Sequence, residues 1–203
     1  MAYIHHTTMT PTKLELLTGW LPAQGWYAGD GTPEPVKAGG FRLDDPAGEV
    51  GIEFMVVVDT AGPEPVAYLV SMSYRGAPLD GAPGDALIGT SEHGVLGTRW
   101  IYDGAQDPVV TAQVRALLRG EAAPQHQSRS DTPDPTVTVH RAGPGDGPGG
   151  GLGDAPDDGL DVRFTRVLRP AEAGEPPAGS VIAGWTWPDG TTARGVFLTV
   201  TRR

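Results

Sequence analysis

Residues 49–74 read "EVGIEFMVVVDTAGPEPVAYLVSMSY". Apolar side chains recur at every second position, first at Val50, Ile52, Phe54, Val56 and Val58, then at Val66, Tyr68, Val70, Met72 and Tyr74. A period of two over nine residues specifies a strand, because successive side chains in a strand point to opposite faces. The segment between the runs, Asp59 to Pro65, is built of turn residues. The two runs therefore predict an antiparallel hairpin, and any fold must be arranged around it. Ala67, Ser71 and Ser73 on the alternate positions of the second run predict one wetter face.

The flanking segments supply further elements. Thr12 and Glu15 have the spacing of a capping box, followed by Leu14, Leu17 and Trp20 as an apolar stripe, with Gly19 and Pro22 at its end. A strand is expected near Gly39–Leu43, and another in "GVLGTRWIYDG". Asp107 followed by Pro108 marks a second helix start, Val110, Val114, Leu117 and Leu118 form one buried stripe, and Gly120 closes it. "TVTVHR", "LDVRFTRVL", "SVIAGWTW" and "TARGVFLTVT" read as strands, the last two joined through Pro188-Asp189-Gly190. The sum is an α+β chain, antiparallel strands with two helices placed to cover one face.

Glycine and proline shape the rest. The chain has 203 residues with 30 Gly and 20 Pro, a level that marks loose tracts beside an ordered domain. Residues 12–120 form the expected first unit, 121–135 a linker, and 136–203 a C-terminal β segment. Within the last, 142–160 carries too little apolar surface to offset its ordering entropy and is expected to be disordered.

Composition excludes several functions. A formal net charge of −10 argues against nucleic acid and anionic membranes as partners. Cysteine is absent, which removes thiolate metal sites. No apolar run reaches a membrane span and the N-terminus has no signal-peptide pattern, so the cytoplasm is the expected compartment.

No cofactor is expected either. Gly145, Gly147 and Gly150 match a dinucleotide-loop string, but Pro148 interrupts it and no helix follows. His5, His6, His93, His126 and His140 lack metal spacing, and Asp154, Asp157, Asp158 and Asp161 lack a calcium-loop pattern. Ser91, Glu92 and His93 adjoin in sequence, which is no argument for a triad. No kinase catalytic loop is visible, and Lys37 reads as a surface lysine.

Aromatic residues are the remaining signal. Trp20, Trp26 and Tyr27 cluster in "WLPAQGWYAGDG", Trp100 and Tyr102 sit on the expected third strand, and Trp185 and Trp187 on the last hairpin. Core packing is the expected role for most of them. Trp185 and Trp187 share a strand face and are the candidates for an exposed ledge that stacks on sugars.

"WLPAQGWYAGDG" resembles the W-L-P-x-Q-R-W-Y-A-G motif that opens actinobacterial maltokinases, with Trp20, Leu21, Pro22, Gln24, Trp26, Tyr27, Ala28 and Gly29 at the matching positions. Gly25 stands where that family usually has a basic residue. The resemblance continues through "YLVSMSYRG" and "LIGTSEHGVLGTRWIYDGAQDPVVTAQVRALLRG", covering roughly Leu14 to Gly120. Maltokinases phosphorylate maltose with ATP on the route from trehalose to glycogen-like α-glucan. Their N-terminal cap is a short helix, this motif and a curved antiparallel sheet. The parts that bind nucleotide and perform catalysis have no counterpart, so no catalytic residue is carried over. The resemblance implies a non-catalytic, free-standing cap-like module. Its expected partner is a sugar kinase, a glucan-metabolising enzyme or a second copy of itself. The alternative is a module that binds α-glucan or maltooligosaccharide.

Overall fold

The computed structural model describes residues 8–141, 159–172 and 174–202. The first half holds β1 (Met9–Thr10), α1 (Lys13–Trp20), β2 (Pro35–Leu43), β3 (Gly51–Asp59), β4 (Val66–Arg75), β5 (Leu87–His93) and β6 (Gly97–Asp103). The second holds α2 (Pro108–Arg119), β7 (Gln125–His126), β8 (Thr138–His140), β9 (Leu160–Phe164), β10 (Ser180–Thr186) and β11 (Thr192–Arg202). The strands pair antiparallel in the order β1-β5-β6-β4-β3-β2-β10-β11-β9, with β7 on β2 and β8 on β10. A mostly antiparallel sheet with two helices agrees with the expected α+β class. The expected disordered loop falls outside the described residues from 142 to 158, as do His5, His6, Gly145, Gly147, Gly150, Asp154, Asp157 and Asp158.

The predicted hairpin forms: β3 pairs with β4 from Gly51↔Tyr74 to Asp59↔Val66. Its expected wetter face does not exist. From Ile52 to Asp59 every residue of β3 is buried. On one face Ile52, Phe54, Val56, Val58, Ala67 and Leu69 pack with Val110, Val114, Leu117 and Leu118 of α2 and with Phe197 and Leu198 of β11. On the other, Met55, Val57, Tyr68, Val70 and Met72 pack with Leu17 and Trp20 of α1 and with Leu21. The helices thus lie on opposite faces instead of sharing one. The serines that suggested water are small enough to be covered. Ser71 and Ser73 are fully buried, and the Ser71 hydroxyl donates to Asp103 Oδ1 at 3.2 Å. A Cβ added at Gly104 would stand 3.1 Å from both Ser71 Cβ and Val110. Small residues at these positions let the start of α2 settle onto the strand.

Both helices begin as their sequences predict. At α1, Glu15 N–H donates to Thr12 Oγ1 at 3.3 Å and Thr12 N–H to Glu15 Oε2 at 2.7 Å, a reciprocal capping box. At α2, Asp107 Oδ1 accepts from Val109 N–H at 2.9 Å, and Pro108 occupies the first turn. The same carboxylate receives two 2.7 Å bonds from Arg75 of β4, tying helix to sheet. Gly120 ends α2 with φ +82°, a left-handed cap that any residue with a Cβ adopts at a cost.

The C-terminal strands join the same sheet. β10 meets β2 at Trp185↔Gly39. Past β9, Arg166 C=O accepts from Leu69 N–H at 2.9 Å, and Leu168 N–H donates to Ala67 C=O at 2.8 Å. The segment after β9 thus reaches β4 through an isolated bridge, Tyr68↔Val167, and the sheet itself stays open. β5 has no clear sequence signature, because its register shifts between Leu87 and Gly89 and breaks the alternation.

Asp107 is the carboxylate on which the α2 attachment turns. Burial pushes its carboxyl up, but hydrogen bonds from Arg75 and the Val109 N–H outweigh this and hold it below the usual aspartate value. A depressed folded-state value means the stabilisation is present above the unfolded value and is lost as pH falls through the folded one. Asp107→Ala should cost about 3 kcal/mol in urea unfolding at neutral pH, since Arg75 is left without its partner. The gap from wild type should narrow below about pH 4.

Candidate functional site

The motif "WLPAQGWYAG" is the exit from α1. A 3-10 turn, Leu21–Ala23, continues directly from the helix. Gln24 N–H donates to Leu21 C=O at 3.0 Å and Tyr27 N–H to Gln24 C=O at 2.9 Å, so the chain folds back tightly. Gln24 Nε2 also donates to Trp20 C=O at 3.3 Å. The aromatic rings converge on Tyr68 of β4. Trp26 lies edge-on to Trp20 at 5.7 Å and 5.9 Å from Tyr68, and Tyr27 lies 5.5 Å from Tyr68. Each such pair contributes roughly 0.5–1.5 kcal/mol beyond its burial.

Polar bonds fix the same elbow. Tyr27 OH donates to Asp59 Oδ2 at 2.8 Å, and Ala28 N–H donates to Tyr68 OH at 3.1 Å. Burial, then the Asp59 carboxylate, raises the Tyr27 phenol well above its ordinary value. Gly29 is required by space, because a Cβ there would overlap the Tyr27 hydroxyl. Arg166, ion-paired with Asp103, lies 5.2 Å from the Trp26 ring centre. The conspicuous aromatics of this motif are spent on holding α1 against the sheet.

A cavity of about 770 Å³ opens on the same face, beside the N-terminal end of α1. Glu53 of β3, 3% exposed, organises its wall. Its Oε2 accepts from Lys13 Nζ at 2.6 Å and Tyr74 OH at 2.5 Å, and its Oε1 from Gln127 Nε2 at 2.8 Å. Burial pushes the carboxyl up, yet Lys13 more than compensates and holds it below the usual glutamate value. Burial and the neighbouring Glu53 raise the Tyr74 phenol far up. Gly40, at φ +127°, leaves the approach open. A Cβ there would overlap the Phe54 carbonyl oxygen and stand 3.1 Å from Gln127 Nε2.

The carboxylate is engaged on both oxygens and Lys13 is paired with it, whereas two arginines of the cavity are only partly engaged. Arg42 Nη2 and Arg99 Nε are buried without a hydrogen-bond partner among the described residues. Lys37 also lines the cavity. Desolvation lowers its pKa, against the pull of Glu53 and with the push of Lys13. Among the described residues no group of three or more His, Asp or Glu could hold a metal ion.

The expected aromatic ledge is not formed. Trp185 is 2% exposed, with its ring 5.8 Å from Trp187 and 6.4 Å from Phe197. Its place in the core depends on Gly195, where a Cβ would come within 3.2 Å of the indole. Trp187 is half-buried just beyond β10. Ser91 and His93 make no catalytic pair: Ser91 Oγ donates to Pro11 C=O at 2.7 Å, and His93 Nδ1 accepts from Val95 and Leu96 N–H. Glu53, Tyr74, Arg42, Arg99 and Gln127 escaped notice in the sequence. The one available signal was Glu53, a lone acid inside an otherwise apolar strand.

Residues 20–107 match the maltokinase N-terminal cap domain. The match begins on Trp20 and ends on Asp107, so it takes in the elbow and β2 through β6 and stops at the cap of α2. The resemblance carried by Trp20 to Gly29 thus holds over this segment. Comparison with curated proteins gave no match.

Glu53→Gln tests the cavity wall. It removes the charge that Lys13 faces, and it should cost about 2 kcal/mol at neutral pH, discounted because Lys13 is partly exposed. The Glu53 value is depressed in the folded state, so its contribution is present above the unfolded value and lost as pH falls. Urea unfolding of variant and wild type should converge below about pH 4.

Proposed function

We propose that this chain is a non-catalytic cap-like module that docks on a sugar kinase or another enzyme of α-glucan and trehalose metabolism. The observation that carries this reading is the match of residues 20–107 to the maltokinase N-terminal cap domain. In this reading 12–120 is the cap unit, 121–135 links it onward, and 136–203 adds strands to it. In this reading the sheet curves as a cap implies, with the isolated bridge between Val167 and Tyr68 in its favour. The cytoplasm, where the proposed partners work, is the compartment this reading assigns. No helix among the described residues is long and apolar enough to cross a membrane.

Two further features support docking over chemistry. The buried carboxylates serve the fold: Glu53 holds Lys13, Asp107 holds Arg75, Asp103 holds Arg166, and Asp45 accepts three backbone N–H groups. An acid engaged in this way is a poor general base. Meanwhile Val95 and Leu96, at the β5–β6 turn within the matched segment, are 61% and 45% exposed. Exposed apolar side chains at a hairpin tip suit a protein contact. The glucan-binding alternative is left with half-buried Trp26 and Trp187, because Trp185 is in the core.

The test mixes the full chain with separately expressed maltokinase and measures association by calorimetry and turnover by phosphorylation of maltose. Saturable association is expected, and Val95→Asp should weaken it about tenfold while leaving the melting temperature unchanged. No association and no change in turnover would overturn the docking reading. So would a tryptophan fluorescence shift on adding maltose or glycogen without any association, which would install the glucan alternative.

A further inference from the structure

We infer that the cavity beside α1 is a binding site for a small organic molecule carrying a phosphate group. The inference rests on the cavity's own chemistry and stands apart from the cap reading. Its first support is charge. In a chain of net charge −10, Lys13 and Lys37 are the only lysines, and both line this cavity together with Arg42 and Arg99. Against these four cations the lining sets three carboxylates, Asp45, Glu49 and Glu53. Asp45 is used by the N–H groups of Ala47, Glu49 and Val50 at 3.0–3.1 Å. Glu53 is used by Lys13, Tyr74 and Gln127. Exposed Glu49 is the remaining carboxylate.

The second support is the state of the donors. Each arginine is pinned by one nitrogen and carries another that is buried and unpartnered among the described residues. Arg42 Nε donates to His126 C=O at 3.2 Å, and its Nη2 is buried with no partner among the described residues. Arg99 Nη2 donates to Leu96 C=O at 2.5 Å, and its Nε is in the same condition. Lys37 is an exposed residue with no hydrogen bond or ion pair among the described residues. A buried donor left unmade is costly, and an oxyanion is the partner that satisfies guanidinium and ammonium together.

The third support is a backbone irregularity that aims these groups. Lys37 and Arg42 are five positions apart on β2, which in a regular strand puts them on opposite faces. The register shifts between Lys37 and Gly39, so Lys37 pairs with Val57 and Arg42 with Glu53. Val57 and Glu53 lie four apart and share the α1 face. The bulge thus brings both cations to one side of the sheet, a re-aiming for which bulges recur beside functional sites.

Size and lining define the ligand class. About 770 Å³ exceeds a bare phosphate and suits a small metabolite. Leu14, Met55 and Leu96 give the wall an apolar portion for its organic part. Single N–H groups from separate side chains, plus an ammonium, suit a tetrahedral oxyanion better than the planar fork a carboxylate prefers.

The full chain should be titrated with inorganic phosphate, pyrophosphate and citrate at constant ionic strength, read by calorimetry and by melting temperature. Phosphate and pyrophosphate are expected to bind saturably and raise the melting temperature. Lys37→Gln should weaken pyrophosphate binding at least tenfold while the unliganded melting temperature stays close to that of wild type, since exposed Lys37 makes no hydrogen bond or ion pair among the described residues. Arg42→Lys, which keeps the charge but loses the second donor, should weaken it less. Absence of saturation up to about 50 mM would overturn the inference. So would unaltered binding by Lys37→Gln. Citrate binding as tight as pyrophosphate would overturn the phosphate class.

Discussion

Strands β3 and β4 have no solvent face, and the rest of the molecule is arranged to meet that constraint. Their backbones are satisfied by the ladder between them and by β2 and β6. Their side chains bury Phe54, Val56 and Leu69 one way and Val57, Tyr68 and Val70 the other. A hairpin of this kind is stable only when each face is covered, at roughly 1.5–3 kcal/mol for each large apolar side chain removed from water. The short α1 and its elbow cover one face. Helix α2 and the C-terminal strands cover the other. The same constraint dictates the cavity. Glu53 belongs to a buried strand and points to the α1 face, so its charge must be met there. Lys13, Tyr74 and Gln127 meet it from three separate segments. The several kcal/mol of its desolvation are offset by that pairing and by the apolar burial around it.

Helix α1 has only eight residues, too few to persist alone, so its seat on the sheet depends on the segment at its C-terminal end. The Trp20–Gly29 elbow provides that seat through the rings around Tyr68 and the Tyr27–Asp59 hydrogen bond. One end of the helix thereby fixes the aromatic cluster and the other end delivers Lys13 to Glu53. The aromatic elbow and the polar cavity are two ends of one device. Arg166, from beyond β9, reaches across to Trp26 and Asp103, so the C-terminal strands also bear on the elbow.

The local parts of this architecture were legible in the sequence. Thr12 with Glu15, Asp107 with Pro108, and Gly120 place both helices because caps are short-range chemistry. The β3–β4 alternation declares a hairpin for the same reason. What alternation cannot declare is how many faces are covered. Ser71 and Ser73 read as wet, yet they are small residues under a closely packed helix start. Trp185 read as exposed because only the fold brings Gly195 against its ring. The cavity was invisible, since its groups come from α1, β2, β3, β4, β6 and the segment after β7. Lys37 is exposed, as a surface lysine should be, and the bulge that sets its face leaves no mark in residue spacing.

Native-state hydrogen exchange on the full chain tests the central claim most directly. If β3 and β4 are sealed on both faces, the amides of Val56, Val57, Leu69 and Val70 exchange only by global unfolding, and their opening free energies equal that from urea denaturation. Exchange of these amides through local opening, at free energies well below the global value, would contradict it.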